Sequence, residues 1–423
     1  MKNAELKKQN ELLALFQQQK FAELIPLCEK FVETFKGNAI GWNLLALSHK
    51  NLGNLNKAIS LYVSLLRQNP NHAVLLSNLG NIYRSVGRLQ DALDSYKKAV
   101  DNDPKLTNAV EALGLCYLDL GDFESALCSF KQATELEPDN LSTRYQLANL
   151  YRKMGRYEEA VEQFEFTDYH NAKSHQLECL YLLGKEKLFR EKCHQLESMG
   201  KTDPLIGCVI SHAEIRYDTP LNNSFCSNPL DYVVTTKLST EEGLTQELID
   251  KIVAYHKGSL NDYKNQALLK NGKQSSGNIF LLQHDFIQTL EKIILNKVEA
   301  YRQMFQSHEQ GFIKEWPDKY FIYGWLVSIT SGGNLDSHIH KEGWLSGSLY
   351  FNVPKKVGSQ DGNIGFSLHG ANYPADGKNY PGKIVEVEKR DLCMFPSSVF
   401  HYTVPFDSDQ ERISFAFDVM PAK

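Results

Sequence analysis

The chain has 423 residues, 42% hydrophobic and 23% charged, with a formal net charge of −5. That length accommodates two or three domains of ordinary globular composition, and the charge balance gives no basic footprint for nucleic acid. No run of about 18 apolar residues marks a membrane span, and the opening MKNAELKKQNELLALFQQQK lacks the apolar core of a secretory leader. The expectation is a cytoplasmic protein. Its eight cysteines are scattered without a CxxC pair, so reduced thiols are expected rather than a disulfide framework.

The first half repeats with a period of 34 residues. Gly53, Gly87, Gly121 and Gly155 keep that step, as do Ala58, Ala92, Ala126 and Ala160. Tyr62, Tyr96, Phe130 and Phe164 form an aromatic column, Leu45, Leu79, Leu113 and Leu147 an aliphatic one, and His49, Tyr83, Tyr117 and Tyr151 a further one. Pro70, Pro104 and Pro138 close three units, and Ala172 replaces the fourth proline. Glycine supplies a permissive backbone between two helices, alanine lets the helices approach, and proline ends the second helix. Six columns in register predict helical hairpins over 39–72, 73–106, 107–140 and 141–174. A degenerate unit is expected over 5–38 and a capping helical pair over 175–200, since stacked arrays need atypical ends.

Within the first helix of each unit, the positions not used for core lie three or four apart and share one face. They include Asn43 and Lys50, then Asn81 and Arg84, then Asn149 and Arg152. Asparagine pairs with both donors and acceptors of an extended peptide, and cations favour acidic or carboxylate-ended ligands. These six residues are the expected peptide-binding groove, with a plain solvated face as the alternative.

After Asp203-Pro204 the 34-residue rhythm ends, and the expected division is 1–202 and 203–423. Helical patterns cover 241–257 and 285–306. Short strand-like runs bounded by Gly, Pro and Asn follow: 319–329, 347–353, 363–369, 383–388, 392–395, 399–404 and 412–419. Many short strands behind helices predict a jelly-roll with helical support, an α+β domain after an all-α solenoid. The chemistry-bearing residues fall in SGGNLDSHIHKEGWLSGSLYFN (331–352), MFPSSVFHYTVPF (394–406) and ERISFAF (411–417). His338 is expected just after a Gly-Gly turn, with Asp336 as a turn residue. Trp325 and Trp344 are read as packing, and His284, His308 and His369 as surface polar residues.

The first half, through units such as NLGNIYRSVGRLQDALDSYKKAVDNDP, resembles the tetratricopeptide repeat family. The second half resembles the iron(II) and 2-oxoglutarate-dependent oxygenases, in a prolyl-hydroxylase-like bacterial and phage branch with His-x-His, often joined to such repeats. That resemblance implies a double-stranded β-helix in which His338 and His401 are iron ligands. Arg412 would bind the far carboxylate of 2-oxoglutarate, with Ser414 and Tyr350 assisting. Iron(II) that must admit cosubstrate and oxygen needs three protein ligands on one face, and arginine offers a planar fork for a carboxylate. The superfamily's carboxylate ligand position holds His340 here. Three ligand sets are open: His338, His340 and His401; a shifted His340-x-Glu342 pair with His401; or two histidines with water.

The function implied is an oxygenase that consumes 2-oxoglutarate and O₂ and recruits a protein or peptide substrate through its repeats. The rivals are an inactive jelly-roll on an interaction scaffold and a three-histidine zinc enzyme. The last leaves Arg412 unexplained.

Overall fold

The computed structural model describes residues 2–258, 263–264, 266–355 and 358–422. The chain divides into two compact units, Met1–Ala172 and Lys173–Lys423, each described by itself below.

The first unit is a series of antiparallel helix pairs: α1 (Lys2–Gln17) with α2 (Phe21–Thr34), α3 (Ala39–Asn51) with α4 (Leu55–Gln68), α5 (Ala73–Ser85) with α6 (Leu89–Asn102), α7 (Thr107–Asp119) with α8 (Phe123–Leu136), and α9 (Leu141–Lys153) with α10 (Tyr157–Glu165). The four periodic glycines follow the first helix of each of the last four pairs at φ +79, +76, +78 and +73, a left-handed backbone that glycine adopts freely. All four rings of the aromatic column are fully buried. A second small-residue column explains how. Ala46, Gly80, Gly114 and Ala148 lie at the same 34-residue step on the first helices. A Cβ added at Gly80 would come within 2.7 Å of the Tyr96 ring, and one at Gly114 within 3.0 Å of Phe130.

The buried tyrosine hydroxyls still need acceptors. Tyr62 Oη donates to Asn43 Oδ1 at 2.7 Å, and Tyr96 Oη to Asn81 Oδ1 at 2.8 Å. Two groove asparagines therefore also serve the core.

The second unit takes in α11 (Ala172–Leu182), α12 (Glu186–Ser198) and α13 (Pro204–Tyr217). Residues 175–200, expected to cap the repeats, fall in this unit. The physical reason is a set of buried polar contacts. The Glu178 carboxylate accepts from Lys341 Nζ at 2.7 and 2.8 Å and from Tyr373 Oη at 3.1 Å. His212, fully buried on α13, bonds His369 Nδ1 through its Nε2 at 2.9 Å. His369, expected at the surface, is thus half-buried and paired with a buried histidine.

Further on come α14 (Gln246–Gly258), α15 (Asp285–Met304) and α16 (Gly311–Lys314), with two antiparallel sheets. The strands are β1 (Val234–Lys237), β2 (Tyr263–Lys264), β3 (Leu269–Ser275), β4 (Tyr320–Leu335), β5 (Leu345–Asn352), β6 (Ile364–Ser367), β7 (Gly382–Val385), β8 (Asp391–Pro396), β9 (Phe400–Thr403) and β10 (Arg412–Pro421). The larger sheet has the order β1-β8-β5-β10-β4-β3-β2 and the smaller β7-β6-β9. Side chains alternate along a strand. On β10, Ile413, Phe415, Phe417 and Val419 join the apolar cluster formed with α14 and α15. The intervening residues, Arg412, Ser414, Ala416, Asp418 and Met420, line a cavity.

The expected Gly-Gly turn is not a turn. Gly332 has φ +69, and Gly333 has no room for a Cβ because Lys270 O would lie 2.6 Å away. Both sit inside β4, where the pairing with β3 slips between Lys270 and Gly272, so the strand bulges and continues to Leu335. The strands β1 and β3 were not expected. Their residues, VTTK and LKNGKQS, are mostly polar and half exposed at or near a sheet edge, without the apolar alternation that marks a strand.

Gly80→Val should destabilise the repeat unit by roughly 1–3 kcal/mol, because a β-branched side chain overpacks against a buried ring that cannot retreat. Urea unfolding of the parent and the variant checks this; an unchanged midpoint would contradict the packing described.

Candidate metal centre

His338 follows β4, His340 lies two residues on, and His401 is on β9. The backbones of His338 and His401 pair directly, with N–H to carbonyl distances of 3.1 and 3.0 Å in the two directions. One ring nitrogen from each of the three histidines lies within 4.8 Å of the others. His338 Nε2 and His340 Nε2 are 3.1 Å apart.

The opposite nitrogens are all engaged. His338 Nδ1 is 2.8 Å from the Asp336 carbonyl, His401 Nδ1 is 3.2 Å from the Val399 carbonyl, and His340 Nδ1 is 2.6 Å from Asp418 Oδ1. Carbonyls and carboxylates only accept, so each Nδ1 carries a proton and Nε2 is the nitrogen left to meet a metal. This is the arrangement metal-ligating histidines use, with the second nitrogen fixed by an outer partner. Burial, then the neighbouring His340, pulls His338 down to about 4. Burial, then His338 and His340, pulls His401 well below the ordinary imidazole value. Neutral imidazoles are the ligating form.

Arg412 opens the same cavity, of about 490 Å³, at another point of its lining. It is 3% exposed. Its Nε donates to the Gly362 carbonyl at 2.9 Å, its guanidinium lies 4.7 Å from the Tyr350 ring centre, and no carboxylate pairs with it among the described residues. Burial lowers its pKa. The Tyr350 hydroxyl is fully buried near Ser348 and the Arg412 guanidinium, and burial pushes it up to about 12. Ser414, Ser348 and Thr403 also line the cavity, whereas Tyr350 is not among its lining residues. A buried cation in the lining of a cavity fits an anionic ligand.

Glu342 lines the cavity but is exposed and lies outside the three-imidazole group. Trp325 lines the cavity 5.5 Å from the His340 ring, while Trp344 is core, its Nε1 donating to the Phe312 carbonyl at 2.7 Å. Asp418, Ser346 and Ser397 are the site residues that sequence reasoning missed. Asp418 alternates with the recognised Arg412 and Ser414 on the strand RISFAFDV, so strand periodicity was the signal that could have found it.

The expected groove residues lie on the first helices of three repeats. Arg84 pairs with Asp119 of the next unit at 2.5 Å, so its charge is neutralised locally. Asn149 Nδ2 donates to the Tyr145 carbonyl at 3.1 Å, and Arg152 donates to Asn149 Oδ1 at 3.3 Å. Lys50 is half-buried. The cationic stripe is thus weaker than three free charges.

A family model described as "Putative 2OG-Fe(II) oxygenase" matches residues 324–418, which contain the imidazole group and Arg412. A tetratricopeptide repeat model matches 37–105, and one for anaphase-promoting complex, cyclosome, subunit 3 matches 96–167. None of the curated proteins matches the chain. Among solved structures, Pseudomonas aeruginosa PilF is similar at 17% identity and a TM-score of 0.42, over 47% of this chain and 92% of that one. A thermophilic tetratricopeptide protein of Thermus thermophilus is similar at 24% identity and a TM-score of 0.35, over 42% and 98%. MamA of Desulfovibrio magneticus is similar at 18% identity and a TM-score of 0.35, over 38% and 91%. No helix among the described residues is long and apolar enough to cross a membrane.

The depressed histidines have a consequence for metal-free stability. The unfolded chain, with imidazoles near 6.5, takes up protons before the folded chain does. The contribution is complete above about 6.5 and is lost as pH falls toward about 4. Thermal melts of the metal-free protein should therefore drop across that window, and the drop should be shallower in His338→Gln/His401→Gln. An identical pH profile in the two would contradict the assignment of neutral, desolvated imidazoles.

Proposed function

We propose that this chain, in which tetratricopeptide repeats precede a domain of the 2-oxoglutarate and iron(II) oxygenase family, is a 2-oxoglutarate-dependent hydroxylase with a three-histidine iron site. The two antiparallel sheets would form its jelly-roll core. His338, His340 and His401 would hold iron(II). Arg412 would bind the far carboxylate of 2-oxoglutarate, with Ser414 and Tyr350 assisting. The observation that carries the reading is one cavity holding three clustered imidazoles and a buried guanidinium lacking a carboxylate among the described residues. The exposure of Glu342 favours the three-histidine set over the shifted His-x-Glu pair.

The chemistry such a centre supplies is oxidative decarboxylation of 2-oxoglutarate by O₂, giving succinate and CO₂, with one oxygen atom transferred to a substrate. The chain's own residues set its conditions. The Nδ1 contacts hold each ring in the ligating tautomer. Arg412 and Tyr350 orient the cosubstrate by a charge-assisted and a neutral hydrogen bond. Ile364 of the smaller sheet and Phe395 of the larger one line the cavity and would keep water off a bound dicarboxylate. The repeats would recruit a protein or peptide segment along the face that carries Asn43, Lys50, Asn81, Arg84, Asn149 and Arg152, of which all but Lys50 also make bonds within the chain.

The direct test is anaerobic titration with iron(II) and 2-oxoglutarate, following their charge-transfer absorption. The parent should develop the band, and His338→Ala and His401→Ala should each lose it together with iron binding. Arg412→Ala should bind iron as the parent does but weaken 2-oxoglutarate about tenfold or more, the equivalent of a lost charge-assisted hydrogen bond. No band in the parent would favour an inactive sheet domain on an interaction scaffold.

The recruiting role of the repeats has its own expected outcome. Lys50→Ala/Arg152→Ala should lower protein-dependent turnover while leaving substrate-independent decarboxylation of 2-oxoglutarate unchanged. Equal loss of both, or of neither, would assign the repeats to assembly.

A further inference from the structure

The iron site proposed above has no carboxylate among its three ligands, yet a carboxylate stands one bond further out. We infer that Asp418 supplies the negative charge of the metal centre, acting through His340 rather than on the ion. The inference rests on the three-histidine reading.

Three observations carry it. The first is asymmetry. The Nδ1 atoms of His338 and His401 meet neutral backbone carbonyls, whereas that of His340 meets Asp418 Oδ1 at 2.6 Å. The second is that Asp418 is reserved for this contact. It is 8% exposed, and no Lys or Arg pairs with it among the described residues. The third is the support built around it. Ser346 Oγ donates to the same Oδ1 at 2.7 Å and lies 2.7 Å from Ser397 Oγ, and both serines are fully buried. Gly343 leaves the space: a Cβ there would lie 2.9 Å from Asp418 Cγ.

A carboxylate on Nδ1–H makes a short charge-assisted bond and raises the basicity of the other nitrogen. It also fixes the ring plane. His340 is thereby the most strongly donating of the three imidazoles, and the site recovers part of the charge that a direct carboxylate would give. Asp418 is a positioning and tuning residue, since it does not touch the metal.

The test is metal affinity of the full-length protein, measured anaerobically with iron(II) and with cobalt(II) against a chromophoric chelator. Asp418→Asn keeps the shape and an acceptor oxygen but removes the charge; its affinity should fall toward the lower end of the roughly 10–100-fold range typical of lost outer-shell partners. Asp418→Ala should fall further. Ser346→Ala, which leaves Asp418 on His340, should change affinity only a few-fold. Gly343→Ala, which crowds Asp418 without removing its charge, should also weaken binding and serves if the Asp418 variants do not fold. The cobalt(II) absorption of the Asp418→Asn complex should shift, a change that mere loss of stability would not produce. Parental affinity and spectrum in Asp418→Asn and Gly343→Ala would overturn the inference. If iron(II) binding is present in the parent and lost in His338→Ala, that result condemns Asp418 alone. If the parent binds no iron(II), the three-histidine reading fails with it.

Discussion

The site depends on the register of one strand. β10 lies between β5 and β4 in the larger sheet, with Ser414 opposite Tyr350 on one side and Val327 on the other. Its alternation divides two environments. Ile413, Phe415, Phe417 and Val419 are buried among the helices, while Arg412, Ser414 and Asp418 face the cavity. A slip of one residue would drive a guanidinium and a carboxylate into the apolar cluster and expose four large hydrophobic side chains. Burial of those four, at about 25 cal/mol per Å² of apolar surface, therefore holds the polar face in place. Helix α15 contributes no residue to the cavity lining, and neither does α14, yet both orient it.

That face costs stability when nothing is bound. Arg412 is buried without a carboxylate partner among the described residues, and His338 and His401 are held neutral by burial. Such groups persist in a fold only where the surrounding packing over-determines them, and they cluster where ligands bind. The repeats contrast with this. Their buried hydroxyls are satisfied inside the chain, Tyr62 by Asn43 and Tyr96 by Asn81, and their rings sit on Gly80 and Gly114.

Much of this was readable from the residues because each feature has a local cause. The 34-residue columns report a hairpin whose every position has a steric job. The strands from β4 to β10 coincide with short runs bounded by turn residues. What escaped was non-local. The Gly332-Gly333 pair reads as a turn, but its place in a bulged strand is fixed by β3, far earlier in the chain. Helix α11 reads as the end of a solenoid until its buried Glu178 is seen gripping Lys341. Asp418 looks like an ordinary strand residue; only the folded register sets its carboxylate against His340. The groove asparagines illustrate the reverse. Their spacing gives the shared face, but spacing does not tell that two of them are already bonded to tyrosines.

The central claim is that three imidazoles, and no carboxylate, hold the metal. X-ray absorption at the iron edge of the anaerobic iron(II) protein tests it most directly. The account predicts the multiple-scattering signature of three histidine ligands, falling to two in His340→Ala and unchanged in Glu342→Gln. A spectrum with two histidines in the parent, or one that changes in Glu342→Gln, would contradict it.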